Sequence, residues 1–275
     1  MNCRGVSSWQ SPVPTGASCD HRIVTGTLDG RLVAVDARDG KPCADFGDNG
    51  QVSLREGLGE FAEQEYSVTS PPAILGDRII TGAMVLDRTH NHMPSGVVRA
   101  YNVRTGALEW FWDPIPPGQQ PQFDAEGKPV FRRGTTNVWS VISVDPERNL
   151  VFLPTGNTST DFFGGLRDNM DYYSSSVVAL KGDTGELAWH FQMVHHDIWD
   201  YDTPAQPTLF ELERDGRRIP ALAQPTKMGH LFILNRETGE PLFPVEERPV
   251  SLTGAIDGER YSPTQPFPAN PAFIV

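Results

Sequence analysis

The stretch SVVALKGDTGELAWHF, residues 176–191, has the pattern of a β-hairpin. An apolar run leads into a polar turn that ends at Gly185, and a second run alternates residue types through Trp189 and Phe191. A Thr-Gly or Asp-Gly pair between two such runs is typical of hairpin loops, because glycine takes the positive φ that a bulged loop requires. The stretch therefore predicts two antiparallel strands.

The same pattern occurs three more times without gaps, and a short strand ending at a threonine precedes each copy. The further hairpins are RLVAVDARDGKPCADF (31–46), VVRAYNVRTGALEWFW (97–112) and HLFILNRETGEPLFPV (230–245). The preceding strands are HRIVTGTL (21–28), DRIITGAM (77–84), NLVFLPTGN (149–157) and PALAQPTKMG (220–229). Each repeat predicts a four-stranded unit, and such repeats are typical of β-propeller blades. A β-sandwich with chance similarity is the alternative.

Composition agrees with an all-β domain and limits the classes of function. The 275 residues include 26 Gly and 24 Pro spread along the chain, which favours many short elements joined by tight turns. The formal charge of -12, without a basic run, argues against nucleic-acid binding. No apolar run is long enough to span a bilayer, and the N-terminus lacks the pattern of a signal peptide.

The three cysteines all lie near the N-terminus, at Cys3, Cys19 and Cys43, and none forms a Cys-x-x-Cys pair. That spacing argues against a zinc site. In an exported protein one disulfide is available, with Cys3–Cys19 slightly favoured, and this pairing would leave a free thiol.

Residues that follow the threonine strands are candidates for a shared site. In a propeller, equivalent strand ends face one funnel, and long insertions follow this point at 83–96 and 157–175. We therefore expect Asn157 and Lys227 to lie in the same space. Lys227 is either a solvated surface charge or a group that stabilises an oxyanion. Trp139 is either a core residue or a flat platform for a planar cofactor, and Arg22 could pair with a carboxylate ligand.

The segment VHHDIWDYDTPAQP (194–207) is rich in acids and histidines. His195 and His196 are adjacent, so in an extended chain they point to opposite sides and are poorly placed to share a metal. One of them is expected to be structural.

Three aspartates, Asp197, Asp200 and Asp202, follow within six residues, so at least one is expected to be partly buried. Asp200 with Asn157 would suit Ca²⁺ or Mg²⁺. The alternative is that all three aspartates form turns before Pro204.

Several of these stretches resemble one family. VHHDIWDYDTPAQPTL, IPALAQPTKMGHLFILNRETGEP, YSVTSPP (66–72), PSGVVRAYNVRTGALEWFWDP (94–114) and CRGVSSW (3–9) are similar to the membrane-bound quinoprotein glucose dehydrogenases and quinate dehydrogenase. The resemblance runs from about Cys3 to Val250. It implies an eight-bladed propeller that carries pyrroloquinoline quinone (PQQ) and a divalent cation, oxidises a sugar, polyol or cyclic alcohol, and passes electrons to ubiquinone at the periplasmic face of the inner membrane.

The resemblance also implies roles for individual residues. Asp200 takes the place of the catalytic base, which would remove the hydroxyl proton as hydride leaves for the quinone carbon. Lys227 takes the place of the lysine at the quinone oxygens. Asn157, together with Asp200, matches the metal ligands.

Further matches concern the cofactor, and one departure concerns the substrate. Trp139 resembles the tryptophan that stacks beneath the PQQ rings, and Arg22 and Thr69 match residues expected at its carboxylates. Met84 stands where glucose dehydrogenases carry a histidine, so the substrate stays open. The adjacent cysteines of methanol dehydrogenases are absent, as is their metal-binding glutamate.

The repeats amount to about four blades out of eight. Residues 1–275 are therefore expected to be part of a quinoprotein propeller domain, with two open edges and a Pro-rich tail, 246–275, that is poorly ordered. We expect the chain to be a fragment of a longer product, with membrane association only through segments absent from it. A non-catalytic propeller used as an interaction scaffold is the alternative function.

Overall fold

The computed structural model describes residues 5–269 and shows an almost entirely β architecture of successive antiparallel meanders. The first sheet pairs β1 (Ser7–Gln10), β2 (His21–Gly26), β3 (Arg31–Asp36) and β4 (Gln51–Ser53) in chain order. The second sheet consists of β6 (Ala73–Leu75), β7 (Arg78–Thr81), β9 (Val98–Asn102) and β10 (Leu108–Trp112), and small pairs flank it: β5 (Tyr66–Ser67) with β8 (Met84–Val85), and β11 (Gln122–Phe123) with β12 (Pro129–Val130).

Two further sheets follow. The third pairs β13 (Ser143–Asp145), β14 (Leu150–Pro154), β15 (Ser176–Lys181) and β16 (Leu187–Gln192). The fourth has three strands, β17 (Thr208–Arg214), β18 (Arg217–Pro225) and β19 (Leu231–Asn235), and is followed by the pair β20 (Val245–Pro249) and β21 (Thr264–Pro268). Two 3₁₀ turns, Glu63–Glu65 and Met170–Tyr173, complete the described elements. We call the four large sheets blades 1 to 4.

The blades stack face to face, with one hydrophobic core between each neighbouring pair. Adjacent residues on one strand belong to different cores: Ile79 faces blade 1, whereas Ile80 faces blade 3. Val151 and Phe152 on β14 divide in the same way between blades 2 and 4. This two-residue alternation is the pleat of a strand that is buried on both faces. The predicted propeller blades are confirmed.

Two tryptophans of the hairpin repeats join one blade to the next. The Trp110 indole Nε1 donates to the carbonyl of Gly182 at 3.0 Å, and Trp189 Nε1 donates to the carbonyl of Arg236 at 2.9 Å. Each ring lies against the glycine of the neighbouring turn, where an added Cβ would come within 2.5 Å of a ring carbon. Those glycines, Gly185 and Gly239, also have positive φ, so the turn needs glycine for two reasons.

The hairpin prediction holds for the second and third repeats and fails for the second strand of the first and fourth. In the first and fourth repeats, Pro42 and Pro241 occupy the position that Leu108 and Leu187 hold in the other two. The pairing of the second strand is reduced there to single bridges, Val35 with Pro42 and Leu234 with Pro241. Proline has no N–H to donate, so the pairing does not extend. The outer strand of blade 1 begins only at Gln51, and blade 4 has three strands instead of the predicted four.

The tail and the disulfide also differ from expectation. Part of the segment 246–275, which was expected to be poorly ordered, forms an antiparallel pairing from Glu246 with Phe267 to Pro249 with Thr264, and residues 270–275 lie outside the described residues. The predicted Cys3–Cys19 disulfide is wrong: Cys19 bonds Cys43, with the two Cα atoms 5.8 Å apart. Cys3 lies outside the described residues.

Candidate functional site

Lys227 and Asn157 are brought together through one carboxylate, that of Asp202. Lys227 follows β18, and its Nζ lies 3.2 Å from Asp202 Oδ2. The other oxygen, Asp202 Oδ1, accepts the backbone N–H of Asn157, which follows β14. The two strand ends therefore meet at the same place, as the blade repeat predicts. We call the surroundings of Asp202 and Lys227 the strand-end cluster.

Asp200 lies on the other side of the same ammonium. Lys227 Nζ donates to the Asp200 carbonyl oxygen at 2.7 Å and lies 3.5 Å from its Oδ1. The Asp200 carboxylate is 15% exposed, so it is reachable from solvent while held by a cation. A second cation, Arg88, lies 3.7 Å from Asp200 Oδ2. A positioned and accessible carboxylate is what a general base requires.

The sequence leaves open whether Asp202 is buried or forms a turn before Pro204, and the structure shows it buried. It is 7% exposed, and burial raises its pKa to about 7 against the opposing charge of Lys227. Asp200 adds a repulsion that acts in the same direction as burial. Both aspartates contact one ammonium, and a tight turn rather than an extended chain brings their side chains together. A turn has no two-residue periodicity, so no sequence pattern indicated this placement.

The two long insertions supply further acids, which the sequence reasoning did not single out. Burial and the charge of Asp161 raise the pKa of Asp87 to about 6, and burial also raises the pKa of Asp161. The backbone N–H of Arg88 donates to Asp161 Oδ2 at 2.8 Å, which joins the two insertions. Loops carry no periodicity, so only the fold shows that these acids approach Asp200 and Asp202.

The charge of this group is unbalanced. Four carboxylates, those of Asp87, Asp161, Asp200 and Asp202, interact with three cations, Arg88, Lys227 and, at Asp161, Arg167. If all seven groups were ionised, their net charge would be about −1. Such an excess is costly in a partly buried site unless protons or a bound cation relieve it.

Asn157 and Asp197 hold the loops around Asp200. The buried Asn157 amide Nδ2 donates to the carbonyls of Asp161 at 3.0 Å and Asp197 at 3.2 Å. The Asp197 carboxylate accepts the backbone N–H groups of Trp199 at 2.9 Å and Tyr201 at 2.7 Å. These bonds fix the tight turn in which Asp200 adopts a left-handed φ of 57°. This geometry makes Asp197 a positioning residue for the Asp200 turn.

Trp139 and Thr69 border the strand-end cluster. The carbonyl of Trp139 accepts the hydroxyl of Thr69 at 3.3 Å and that of Ser70 at 2.6 Å. A Cβ on Gly156 would lie 3.2 Å from the Trp139 ring and 2.9 Å from Asp202 Oδ1. Glycine at this position thus leaves the indole and the Asp202 carboxylate close to each other.

Arg22 is not brought to this cluster. It lies near the start of β2, where its guanidinium donates to the carbonyls of Cys19 at 2.9 Å and Arg104 at 3.0 Å. It also pairs with Asp45 at 2.5 Å. These contacts place Arg22 beside the disulfide, between blades 1 and 2, so this geometry gives its predicted role at a cofactor no support.

The two histidines have separate partners, as their adjacency predicts. His195 Nε2 is 3.0 Å from Glu247, whereas His196 contacts Asp171 and Glu259. Within residues 5–269, the one cluster of His, Cys, Asp and Glu ligand atoms close enough for a metal is Cys19, Cys43 and Asp45, and its two sulfurs are bonded to each other. The geometry therefore gives no support to a zinc site in this part of the chain.

A family model described as "PQQ: Glucose/ethanol/alcohol dehydrogenase, beta-propeller domain" matches residues 1–275. The chain belongs to this family. It is 43% identical over 268 residues to the glycerol dehydrogenase large subunit of Gluconobacter thailandicus, 42% identical over 283 residues to the quinate/shikimate dehydrogenase (quinone) of Acinetobacter baylyi, and 38% identical over 273 residues to the quinoprotein glucose dehydrogenase of Escherichia coli. These alignments cover 96%, 96% and 97% of this chain.

The chain spans about a third of the length of these relatives, namely 36%, 35% and 34%. Its fold is also that of the quinohemoprotein alcohol dehydrogenase from Comamonas testosteroni, with a TM-score of 0.70, 23% identity, and coverage of 98% of this chain and 38% of that chain. The predicted quinoprotein family and propeller fold are confirmed. Among residues 5–269 no helix has the length and hydropathy that crossing a membrane requires.

Proposed function

We propose that this chain forms the cofactor-bearing half of a PQQ-dependent dehydrogenase that oxidises a hydroxyl group of a sugar, polyol or cyclic alcohol. The observation that carries the proposal is the placement of Lys227 between the carboxylates of Asp200 and Asp202, at the point where the ends of two blades and two insertions converge. Relatives named for glycerol, quinate/shikimate and glucose support this substrate range. Met84 lies on β8 and pairs with Ser67 on β5. It stands where glucose dehydrogenases carry a histidine, so the substrate stays open among sugars, polyols and cyclic alcohols.

The residues present fit PQQ and a divalent cation. The partly exposed Trp139 indole beside Gly156 provides a flat surface for a planar ring system, and the Thr69 hydroxyl donates to the backbone carbonyl of Trp139. The excess negative charge around Asp200 suits Ca²⁺ or Mg²⁺, for which Asp200 and Asn157 offer hard oxygen donors. When bound, PQQ supplies the acceptor for the two electrons of the alcohol.

The chain's own groups would divide the remaining work. Asp200 would take the proton of the substrate hydroxyl, since its carboxylate is accessible and is held by Lys227 and Arg88. Lys227 stays protonated, because the charges of Asp202 and Asp200 raise its pKa despite opposing burial. It would therefore stabilise negative charge on quinone oxygens. Asp197 and Asn157 would keep the Asp200 turn rigid, so that the base needs no reorganisation during the reaction.

Further blades are needed to complete this site. The outer face of blade 1 presents the half-buried side chains of Ile23, Val33 and Val35, and that of blade 4 presents Leu231 and Ile233. Apolar faces of this kind normally pack against a neighbouring sheet. We propose that additional blades cover both faces, that the assembled enzyme passes electrons to ubiquinone, and that it works at the periplasmic face of the inner membrane.

The test is reconstitution of the full-length product with PQQ and Ca²⁺ or Mg²⁺, followed by dye-linked oxidation of glycerol, quinate, glucose and polyols. Asp200→Asn should abolish turnover while PQQ still quenches tryptophan fluorescence. Asp168→Asn, an 80% exposed acid in the neighbouring insertion, is the matched control and should retain activity. Absence of both turnover and PQQ binding would refute the proposal and favour a non-catalytic scaffold.

A further inference from the structure

His196 lies between two carboxylates that belong to distant loops. Its Nδ1 is 2.6 Å from Asp171 Oδ2, and its Nε2 is 2.8 Å from Glu259 Oε1. All three side chains are nearly inaccessible, at 7% exposure for His196 and Asp171 and 1% for Glu259. Gly164 packs against the ring so closely that an added Cβ would come within 2.4 Å of it.

The three residues join three separate segments. Asp171 lies on the 3₁₀ turn Met170–Tyr173, within the insertion that begins at Asn157. Glu259 lies in the long connection between β20 and β21 and also accepts the backbone N–H of Gly164 at 2.6 Å. His196 precedes Asp197, whose carboxylate organises the Asp200 turn. We call this arrangement the His196 clamp.

Both ring nitrogens of His196 face carboxylate oxygens at hydrogen-bond distance. A neutral imidazole has one N–H and could donate to only one of them, whereas the imidazolium cation donates to both. The hydrogen bond to Asp171 raises the pKa of His196 above its ordinary value; burial opposes this shift and Glu259 adds to it. The other charged or titratable groups around the ring are Arg167, Arg260, Asp197, Tyr201, His230 and Tyr261.

The nearby arginines do not replace the histidine. Arg167 Nη1 is 4.0 Å from Asp171 and donates to the Asp197 carbonyl at 2.6 Å, so it is engaged mainly with the backbone. Arg260 is 63% exposed and lies 3.7 Å from Asp171 Oδ1. Glu259 Oε1 pairs with His196 and also accepts the backbone N–H of Arg260 at 2.7 Å, while the charge of Arg167 acts on Glu259 without a direct contact.

We propose that His196, as an imidazolium, is a positioning residue that fastens the β20–β21 connection and the 157–175 insertion to the segment carrying Asp200. The link to catalysis rests on the proposed role of Asp200, but the clamp itself is a property of the fold. A cation bridging two carboxylates is strongest when His196 is protonated. The fastening should therefore be complete below the ordinary histidine pKa of about 6.5 and be lost as pH rises through the higher pKa of the folded state.

Tryptic cleavage after Arg260 reports the release of the β20–β21 connection. Cleavage after the exposed Arg217, at the start of β18, is the internal reference. In the wild-type protein without added cofactor, the ratio of Arg260 to Arg217 cleavage should rise from pH 6 to pH 9, because loss of the imidazolium charge releases the connection. His196→Gln should show a high ratio at every pH. His195→Gln, the adjacent histidine that contacts Glu247, should behave as the wild type.

Two further measurements keep the inference testable. In ¹⁵N-histidine-labelled protein, both His196 nitrogens should be protonated at pH 6, and the loss of one proton should occur above the ordinary histidine pKa of about 6.5, a signature that a packing role alone would not produce. Glu259→Gln removes one arm of the clamp without changing side-chain size and should raise Arg260 cleavage at pH 6. A single protonated nitrogen at pH 6, or a His196→Gln cleavage ratio equal to that of the wild type, would overturn the inference. Neither readout needs PQQ, so failure of the proposed enzyme activity would be seen separately.

Discussion

Removing the Cys19–Cys43 disulfide is expected to cost the protein a large part of its stability. The bond joins residues 24 positions apart and closes a ring that contains the whole β2–β3 hairpin of blade 1. Around it, the Cys19 backbone N–H donates to Asp36 at 2.7 Å and Arg22 donates to the Cys19 carbonyl. The disulfide therefore secures the region where blade 1 contacts blade 2.

The size of the expected loss in stability follows from the number of residues in the ring that the disulfide closes. Closing a loop of this size removes about 12 cal/mol/K of entropy from the unfolded chain, or about 3.5 kcal/mol at 25 °C. Typical domains have a free energy of unfolding of about 5–15 kcal/mol, so the loss is large on that scale. Both cysteines are buried, so replacing them with serine also places polar atoms in the core. Reducing the disulfide of the wild type therefore measures the contribution of the cross-link to stability more directly.

The assay is urea unfolding followed by tryptophan fluorescence, for the oxidised wild type, the reduced wild type and the Cys19→Ser/Cys43→Ser variant. Both treatments should lower the midpoint, with the double variant at or below the reduced protein. Cys3→Ser is the control and should leave the midpoint unchanged. Peptide mapping without reduction should recover Cys19 linked to Cys43. A Cys3–Cys19 peptide, or a midpoint that does not respond to reduction, would refute the reasoning.

Three further predictions concern the site and the blade contacts. Trp139→Ala should weaken PQQ binding about tenfold through loss of ring stacking, measured by fluorescence titration, whereas Ala at the 68% exposed Trp199 should have little effect. Because burial raises the pKa of Asp202 from 3.8 to about 7, stability should fall as pH rises through that range; Asp202→Asn should flatten the dependence of Tm on pH measured in EDTA. Trp189→Phe keeps the ring but loses the bond to the Arg236 carbonyl, and should cost about 1 kcal/mol in urea unfolding.

The candidate site shows which functional residues local sequence patterns can identify and which they cannot. Asp200 and Lys227 could be singled out because they stand in long family-like stretches, and the repeat correctly placed Asn157 and Lys227 together. Asp87 and Asp161 could not be found in this way. They lie in insertions without periodicity, and only the contact of Arg88 with Asp161 and Asp200 brings them to the same cluster.

By itself, the sequence determined the inner strands of all four blades and the complete hairpins of the second and third, because two-residue alternation and the turn glycines are local properties of the chain. The tertiary structure decided the pairing of Cys19 with Cys43, the placement of Arg22 beside it, and the burial of Asp202. Each of these depends on which loops become neighbours when blades stack, and that is set by cores formed between residues distant in the chain. The fold could therefore be predicted from the spacing of residues along the chain. The arrangement of charges around Asp200 could be recognised only from the distances between residues in the tertiary structure.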